Sequence, residues 1–299
     1  MIDNHQKYRQ LFPFSGQVVY MNHAAVSPLN SRAIAAMQAY QKERSSSNIE
    51  YWPDLFDKKR QFKELVGKLI NAHPDYIAMA GNTGMGLNIL ALGIDWKAGD
   101  RILLNNLEFP TNVYPFMNLK RFGVEVDFVA HREGRILLED IVEKIHPRTR
   151  LLSISFVEFL NGFRNDMRAI ADICRKHDII FSVDGIQGIG ALQFDVQEMG
   201  IDFLACGGHK WLMWPLGTAF FYIAPRIFES VYPAMVNWMS VENAWDMLNY
   251  ELKLLPNAER FEGGVFNLQG LIGAIASLEL FSEIGVAISN STSSPLPIF

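Results

Sequence analysis

Residues 179–223 read IIFSVDGIQGIGALQFDVQEMGIDFLACGGHKWLMWPLGTAFFYI. Three apolar runs, Ile179–Asp184, Phe203–Cys206 and Thr218–Ile223, are set in this stretch, with a short helical pattern at Val196–Met199 between the first two. None of the runs alternates polar with apolar residues, as a strand with one face in water would. A strand that is apolar along its whole length is buried on both faces, the habit of parallel sheets covered by helices. Working outward, similar runs occur at Tyr76–Ala80, Arg101–Asn105, Val124–Ala130 and Leu151–Val157, with helical patterns at Gly86–Leu92, Asn112–Lys120 and Ala169–His177. The expectation is an α/β fold with a mostly parallel central sheet and helices on both faces. In such sheets ligands bind beyond the carboxyl ends of the strands.

The candidate chemistry falls at those ends. Phe203–Cys206 is followed by two glycines and then by His209 and Lys210. A lysine amine deprotonated in a desolvated site forms a Schiff base with an aldehyde. A lone lysine is usually a solvated surface residue, but Lys210 precedes Trp211, Leu212, Met213 and Trp214, odd company for a surface ammonium. Ile179–Asp184 ends in a carboxylate. An aspartate opening a turn before Gly185 would look the same; the functional reading is a buried carboxylate facing a cation. Gln187, three residues on, reads either as a surface helix residue or as a donor to a bound ligand. In Asn82-Thr83-Gly84-Met85-Gly86 a strand gives way to a helix, where backbone N–H groups and the helix dipole favour a phosphate. Thr83 alone reads equally as a helix cap. Phe109, after another strand end, is either core or a flat ring for stacking.

Bulk properties exclude several classes. Of 299 residues, 49% are hydrophobic and 20% charged, an ordinary globular composition. The net charge of −5 offers no electrostatic footprint for nucleic acid. No apolar run approaches the roughly 18 residues needed to span a bilayer, so no membrane association is expected. The first residues, MIDNHQKYRQLF, are too polar for a secretory signal. Two cysteines, Cys174 and Cys206, are too few for a disulfide framework, and a cytoplasmic location is the expectation. Leu268–Gly285 reads as a helix, whereas the final VAISNSTSSPLPIF has no periodicity and is expected to pack poorly.

Taken in order, these segments resemble the class V aminotransferase family of fold type I pyridoxal-5′-phosphate (PLP) enzymes, a group that includes cysteine desulfurases, selenocysteine lyases, kynureninases and isopenicillin N epimerase-like proteins. MNHAAVSPL, GNTGMGLNILALG, LEFPTNVYPF, SVDGIQGIG, GGHKWLMWPLG and RFEGGVFN each resemble one of its motifs, from about Val18 to Gly285. The resemblance implies that Lys210 carries PLP as a Schiff base and moves the α-proton, and that Asp184 pairs with the pyridinium nitrogen. It implies that Gln187 contacts the ring hydroxyl and His209 the phosphate. Thr83 and Gly84 match the phosphate loop, Met85 would offer its backbone N–H, and Phe109 would stack on the ring. It also implies an amino-acid substrate and a homodimer.

The departures shape the functional choice. Phe109 stands where desulfurases have a proton-transferring histidine, and with SFVEFLNGFRND it looks closer to the epimerase-like branch. Phe159 occupies the place of an asparagine near the ring, with Glu158 or Asn161 as substitutes. Gly84 replaces a phosphate-binding threonine, Gly207 a serine and Val265 a threonine. Family members usually continue into a small C-terminal domain that carries the substrate-binding arginine, so that lobe is expected to be largely missing here; Arg260 is a candidate substitute. The resemblance divides the chain into an N-terminal arm (1–17), a large PLP-binding domain (18–267) and the start of a truncated small domain with a poorly packed tail (268–299). It implies an aminotransferase- or epimerase-like PLP enzyme. The alternatives are a cysteine desulfurase or selenocysteine lyase, and a PLP-binding protein without turnover. Cys206, on a buried strand, and Cys174, on a helix, are poorly placed to serve as a desulfurase nucleophile.

Overall fold

A computed structural model describes residues 5–285; the tail expected to pack poorly lies outside them. Its strands are β1 (Ile77–Ala80), β2 (Arg101–Asn105), β3 (Glu125–Val129), β4 (Thr149–Ser155), β5 (Ile180–Asp184), β6 (Phe203–Gly207) and β7 (Ala219–Ile223). They form one sheet in the order β1-β7-β6-β5-β4-β2-β3. The pairs from β6 through β3 are parallel, and β7 runs antiparallel to both of its neighbours. That reversal has a local cause. A parallel return needs a crossover long enough to recross the sheet, and the chain from Gly208 to Thr218 carries no helix. This tight link holds Lys210 at the carboxyl end of β6.

The helices are α1 (His5–Arg9), α2 (Ser31–Ser46), α3 (Trp52–Ile70), α4 (Thr83–Gly93), α5 (Tyr114–Met117), α6 (Leu138–Lys144), α7 (Met167–Lys176), α8 (Pro225–Phe228) and α9 (Leu268–Ile284). One face of the sheet is covered by α3, α6, α7 and α9, through Phe62, Val66, Ile141, Ile170, Leu271 and Ile275. The other is covered by α4, α5 and α8, through Leu87, Leu90, Phe116 and Phe228. Every residue of β1, β6 and β7 is buried, as expected of strands covered on both faces. Each Leu, Ile or Phe sealed between these layers contributes roughly 1.5–3 kcal/mol. Edge strand β3 is different: its Glu125 and Asp127 pair with Arg101 on β2 at 2.5 and 2.6 Å, and charges on an edge discourage pairing with another chain.

Several local expectations are corrected. Val196–Met199 is a single turn, not a helix: the Asp195 carboxylate takes the N–H groups of Gln197 and Glu198, and Gly200 leaves with φ +66°. Asn112–Lys120 breaks into short pieces (Pro110–Asn112, α5 and Asn118–Phe122), because Pro110 and Pro115 cannot donate to a continuous ladder. β4 ends at Ser155, not Val157, since residues 158–163 fold back on themselves through Glu158 N–H to Phe163 O at 2.8 Å. The sequence reading passed over α2 and α3, although Leu55, Phe62, Val66 and Ile70 recur at helical spacing. α9 packs Leu271, Ala274, Ile275 and Leu278 into the main core. Among the described residues no helix is long and apolar enough to cross a membrane.

Candidate functional site

The register of the sheet brings the candidate residues together. Ser155 at the end of β4 pairs with Asp184 at the end of β5, and Asp184 pairs with Ala205 on β6. The loops beyond these ends, and beyond β1 and β2, enclose a cavity of about 610 Å³. It is lined by Thr83, Gly84, Phe109, Asp184, Gln187, His209 and Lys210, so it gathers every proposed site residue except Met85.

The end expected to take a phosphate is built on α4. Its first N–H groups, those of Thr83 and Gly84, have no partner inside the helix. Asn82 caps the helix by accepting from the Met85 N–H at 2.8 Å. This corrects the expectation for Met85: its N–H is taken by the cap, its sulfur folds back to the Gly81 N–H, and it does not line the cavity. The Thr83 hydroxyl is also engaged, accepting from the Gly207 N–H at 2.9 Å. That bond ties the helix start to the end of β6. A side chain at Gly207 would put its β-carbon 3.0 Å from Thr83 Oγ1, so glycine suits the close approach. A β-carbon on Gly86 would lie 2.9 Å from that of Ala205, so α4 also needs glycine to rest against the sheet.

Asp184 is 2% exposed. Its Oδ1 accepts from the Ile186 N–H at 2.9 Å, and among the described residues no other hydrogen bond reaches the carboxylate. Burial pushes its carboxyl up to about 6, against the pull of the Ile186 N–H and the Lys210 charge. Lys210 is half-buried, 5.7 Å from the Phe109 ring centroid, and burial lowers its pKa, with Asp184 pulling the other way. His209 is lowered by burial and by Lys210, which favours its neutral form. Phe109 and Phe159 meet edge to face at 5.2 Å and wall one side.

Gln187 is held from two directions. It donates to Ala24 O and accepts from Trp211 Nε1, each at 3.1 Å, which leaves one amide hydrogen for a ligand. Ser27 N–H reaches His209 O at 2.8 Å, and His23 stacks on Trp211 at 5.6 Å. The segment around Asn22–Ser27 is thereby pinned over the Lys210 loop, and Asn22, Ala24 and Ala25 line the cavity. The sequence reading recognised MNHAAVSPL as a motif but gave these residues no role. It also passed over Thr111, Ile186 and Ser155; Ser155 was hidden because β4 was read two residues too far. Arg260, the candidate for a substrate carboxylate, instead lies 4.0 Å from the Phe228 ring and pairs with Glu229. Trp238 and Trp245 pack edge to face with Trp52 and line a separate cavity of about 710 Å³. Size therefore does not mark the site; the convergence of lysine, buried carboxylate and helix start does.

The residues present fit PLP. A buried carboxylate with no hydrogen-bonded cation suits a ring N–H⁺, an amine of lowered pKa suits an aldehyde, and two orphan N–H groups beside a neutral imidazole suit a phosphate. The family model described as Aminotransferase class-V matches residues 19–296, a span that continues past Gly285, where the motif resemblance ended. A probable cysteine desulfurase of Methanothermobacter thermautotrophicus is 30% identical over 286 residues, covering 93% of this chain and 70% of the relative. The apo structure of a cysteine desulfurase from Thermococcus onnurineus NA1 matches with a TM-score of 0.85 and 26% identity, over 96% of this chain and 73% of that one. The cystine C-S lyase C-DES, in complex with its reaction product cysteine persulfide, matches with a TM-score of 0.85 and 25% identity, over 93% and 75%.

Proposed function

The chain belongs to the class-V aminotransferase family, and from that premise we propose that it is a PLP-dependent enzyme in which Lys210 attaches the cofactor and acts on an amino-acid substrate. The observation that carries this reading is the convergence of Asp184 and Lys210 on one cavity, the first buried without a hydrogen-bonded cation and the second with its proton loosened by burial. PLP, when bound, supplies an electron sink for the pair left as a bond at the substrate α-carbon breaks.

The chain's own residues do the rest. Asp184 would hold positive charge at the ring nitrogen. The Thr83 and Gly84 N–H groups and His209 would hold the phosphate, Phe109 would lie against the ring, and Gln187 would offer its remaining amide hydrogen. Lys210, neutral more readily than a surface lysine, takes a proton from the α-carbon and returns one. Phe109 and Phe159 give that side of the cavity an apolar wall.

An aminotransferase- or epimerase-like reaction suits these residues best. The names of the relatives favour a second reading, cysteine desulfurase. That reading lacks a nucleophile among the residues in hand: Cys174 and Cys206 are 1% and 0% exposed, and burial pushes the Cys174 thiol up to about 12 and that of Cys206 well above its usual value. The same two free, buried cysteines support a cytoplasmic location. A homodimer is also proposed; exposed Met247, Leu248, Tyr250 and Leu252 support it.

The test is a visible spectrum of the protein with added PLP, followed by borohydride reduction and peptide mapping. Cofactor mass fixed on Lys210 is expected. A folded protein that acquires no band, or a label on another lysine, overturns the proposal. Spectral change on adding amino acids separates turnover from binding alone.

A further inference from the structure

Behind the cavity lie two carboxylates that the proposed chemistry does not use. Glu108 accepts from the Ser155 N–H and hydroxyl, each at 2.6 Å, and from the Asn105 amide at 2.7 Å. Glu158 accepts from that same Asn105 amide at 3.2 Å and from the Asn165 amide at 2.9 Å. Its second oxygen, Oε2, is buried without any hydrogen-bond partner. Asn105 thus bridges the two acids, and Ser155 joins Glu108 to the cavity wall, in register with Asp184 on the neighbouring strand. The charged groups facing this cluster are Glu108 from the loop after β2, Glu158 from the loop after β4, Asp184 from β5 and, on the Asp184 side, Lys210. Among the described residues none of the three acids is in an ion pair.

Two ionised carboxylates cannot be kept here cheaply. Each loses its hydration, and each opposes the other's charge. An oxygen with no donor is least costly when its carboxyl is neutral. Burial raises both acids, and burial together with the Asp184 charge brings Glu158 to about 7 despite the Asn165 and Asn105 donors. Charge coupling is reciprocal, so ionising Glu158 strengthens the hold of Asp184 on a nearby proton.

We propose that Glu108 and Glu158 carry one proton between them, and that its release tunes how firmly Asp184 holds the positive charge at the cavity. Glu158 is therefore a positioning residue for charge, acting through Asp184. The second half rests on the proposed function, because it names what Asp184 faces; the first half does not.

The experiment uses the full chain, wild type and Glu158→Gln, with Glu108→Gln as a second variant should the first fail to fold. Infrared difference spectra from about pH 5 to about pH 9 are expected to contain a protonated-carboxyl band whose pH dependence changes in the glutamine variant. In the PLP-loaded protein, the pH midpoint of the visible band is expected to shift by about half a pH unit or more in Glu158→Gln. Identical infrared titrations of wild type and variant overturn the shared proton. An altered infrared titration with an unmoved visible midpoint overturns the link to Asp184. Failure to acquire any PLP band sinks the proposed function while the infrared arm still reads the proton pair.

Discussion

Replacing Asp184 with asparagine separates folding from chemistry. The ordinary carboxyl value of 3.8 rises to about 6 in the fold, chiefly through burial. The folded state therefore keeps the proton longer than the unfolded chain does. Stability from this group is full below about 3.8, falls as pH rises through about 6, and stays lost above that. The loss amounts to about 3 kcal/mol. Asp184→Asn removes the ionisation but keeps an oxygen to accept from the Ile186 N–H. Without cofactor, the variant should be more stable than wild type by about 2–3 kcal/mol near pH 8, and about equal to it near pH 4. With PLP the order should reverse, since a ligand stabilises a fold in proportion to how well it binds, and the amide cannot balance a ring cation. Turnover should fall about a hundredfold or more, the counterpart of losing a buried charge partner worth about 3 kcal/mol. Urea unfolding across pH, with and without PLP, reads the stabilities, and the rate of spectral change on adding amino acids reads the turnover. A folded Asp184→Asn protein that is less stable than wild type near pH 8 without cofactor would refute the reasoning, because the carboxylate would then be carrying no desolvation cost.

Lys210→Ala should abolish turnover and leave no borohydride-fixed cofactor at that position; measurable turnover would remove Lys210 from the mechanism. Thr83→Val keeps the shape of the side chain but deprives the buried Gly207 N–H of its acceptor. It should cost about 1–3 kcal/mol in urea unfolding, and an unchanged midpoint would show that the bond is dispensable. Gly86→Leu pushes α4 away from β6, where a β-carbon already lies 2.9 Å from that of Ala205. A loss of about 1–3 kcal/mol and weaker PLP retention are expected, and wild-type retention would mean the helix start need not sit so close.

The ends of β5 and β6 were legible because two independent signals meet there: apolar strand periodicity stops, and a chemically odd residue follows. Asp184 and Lys210 satisfied both. Met85 satisfied only the loop pattern, and the Asn82 cap, which competes for its N–H, is a matter of helix geometry that spacing does not reveal. Ser155 was lost because the run to Val157 stays apolar while the backbone turns away through the contact between Glu158 and Phe163. Arg260 lay beside a recognised motif, but its guanidinium packs on Phe228 instead. Proximity in sequence to a motif says nothing about which way a long side chain runs.

The charge balance of the site is the part that no single segment could show. Glu108, Glu158 and Asp184 lie in three separate stretches of the chain, each followed or preceded by ordinary loop residues. Only the strand order, with β4 between β2 and β5, stacks their loops around Asn105 and Ser155. The result is an excess of buried acid over buried base, with Lys210 the cation facing it and that lysine itself inclined to lose its proton. A fold that needed only stability would gain by replacing such a cluster with apolar side chains. On the proposed function the imbalance would become economical when a cationic ring nitrogen enters beside Asp184, because the missing positive charge would then arrive with the ligand. On that reading the acidity of the site and its fit for PLP are one property: the fold leaves an acid without a cation where the cofactor would bring a proton.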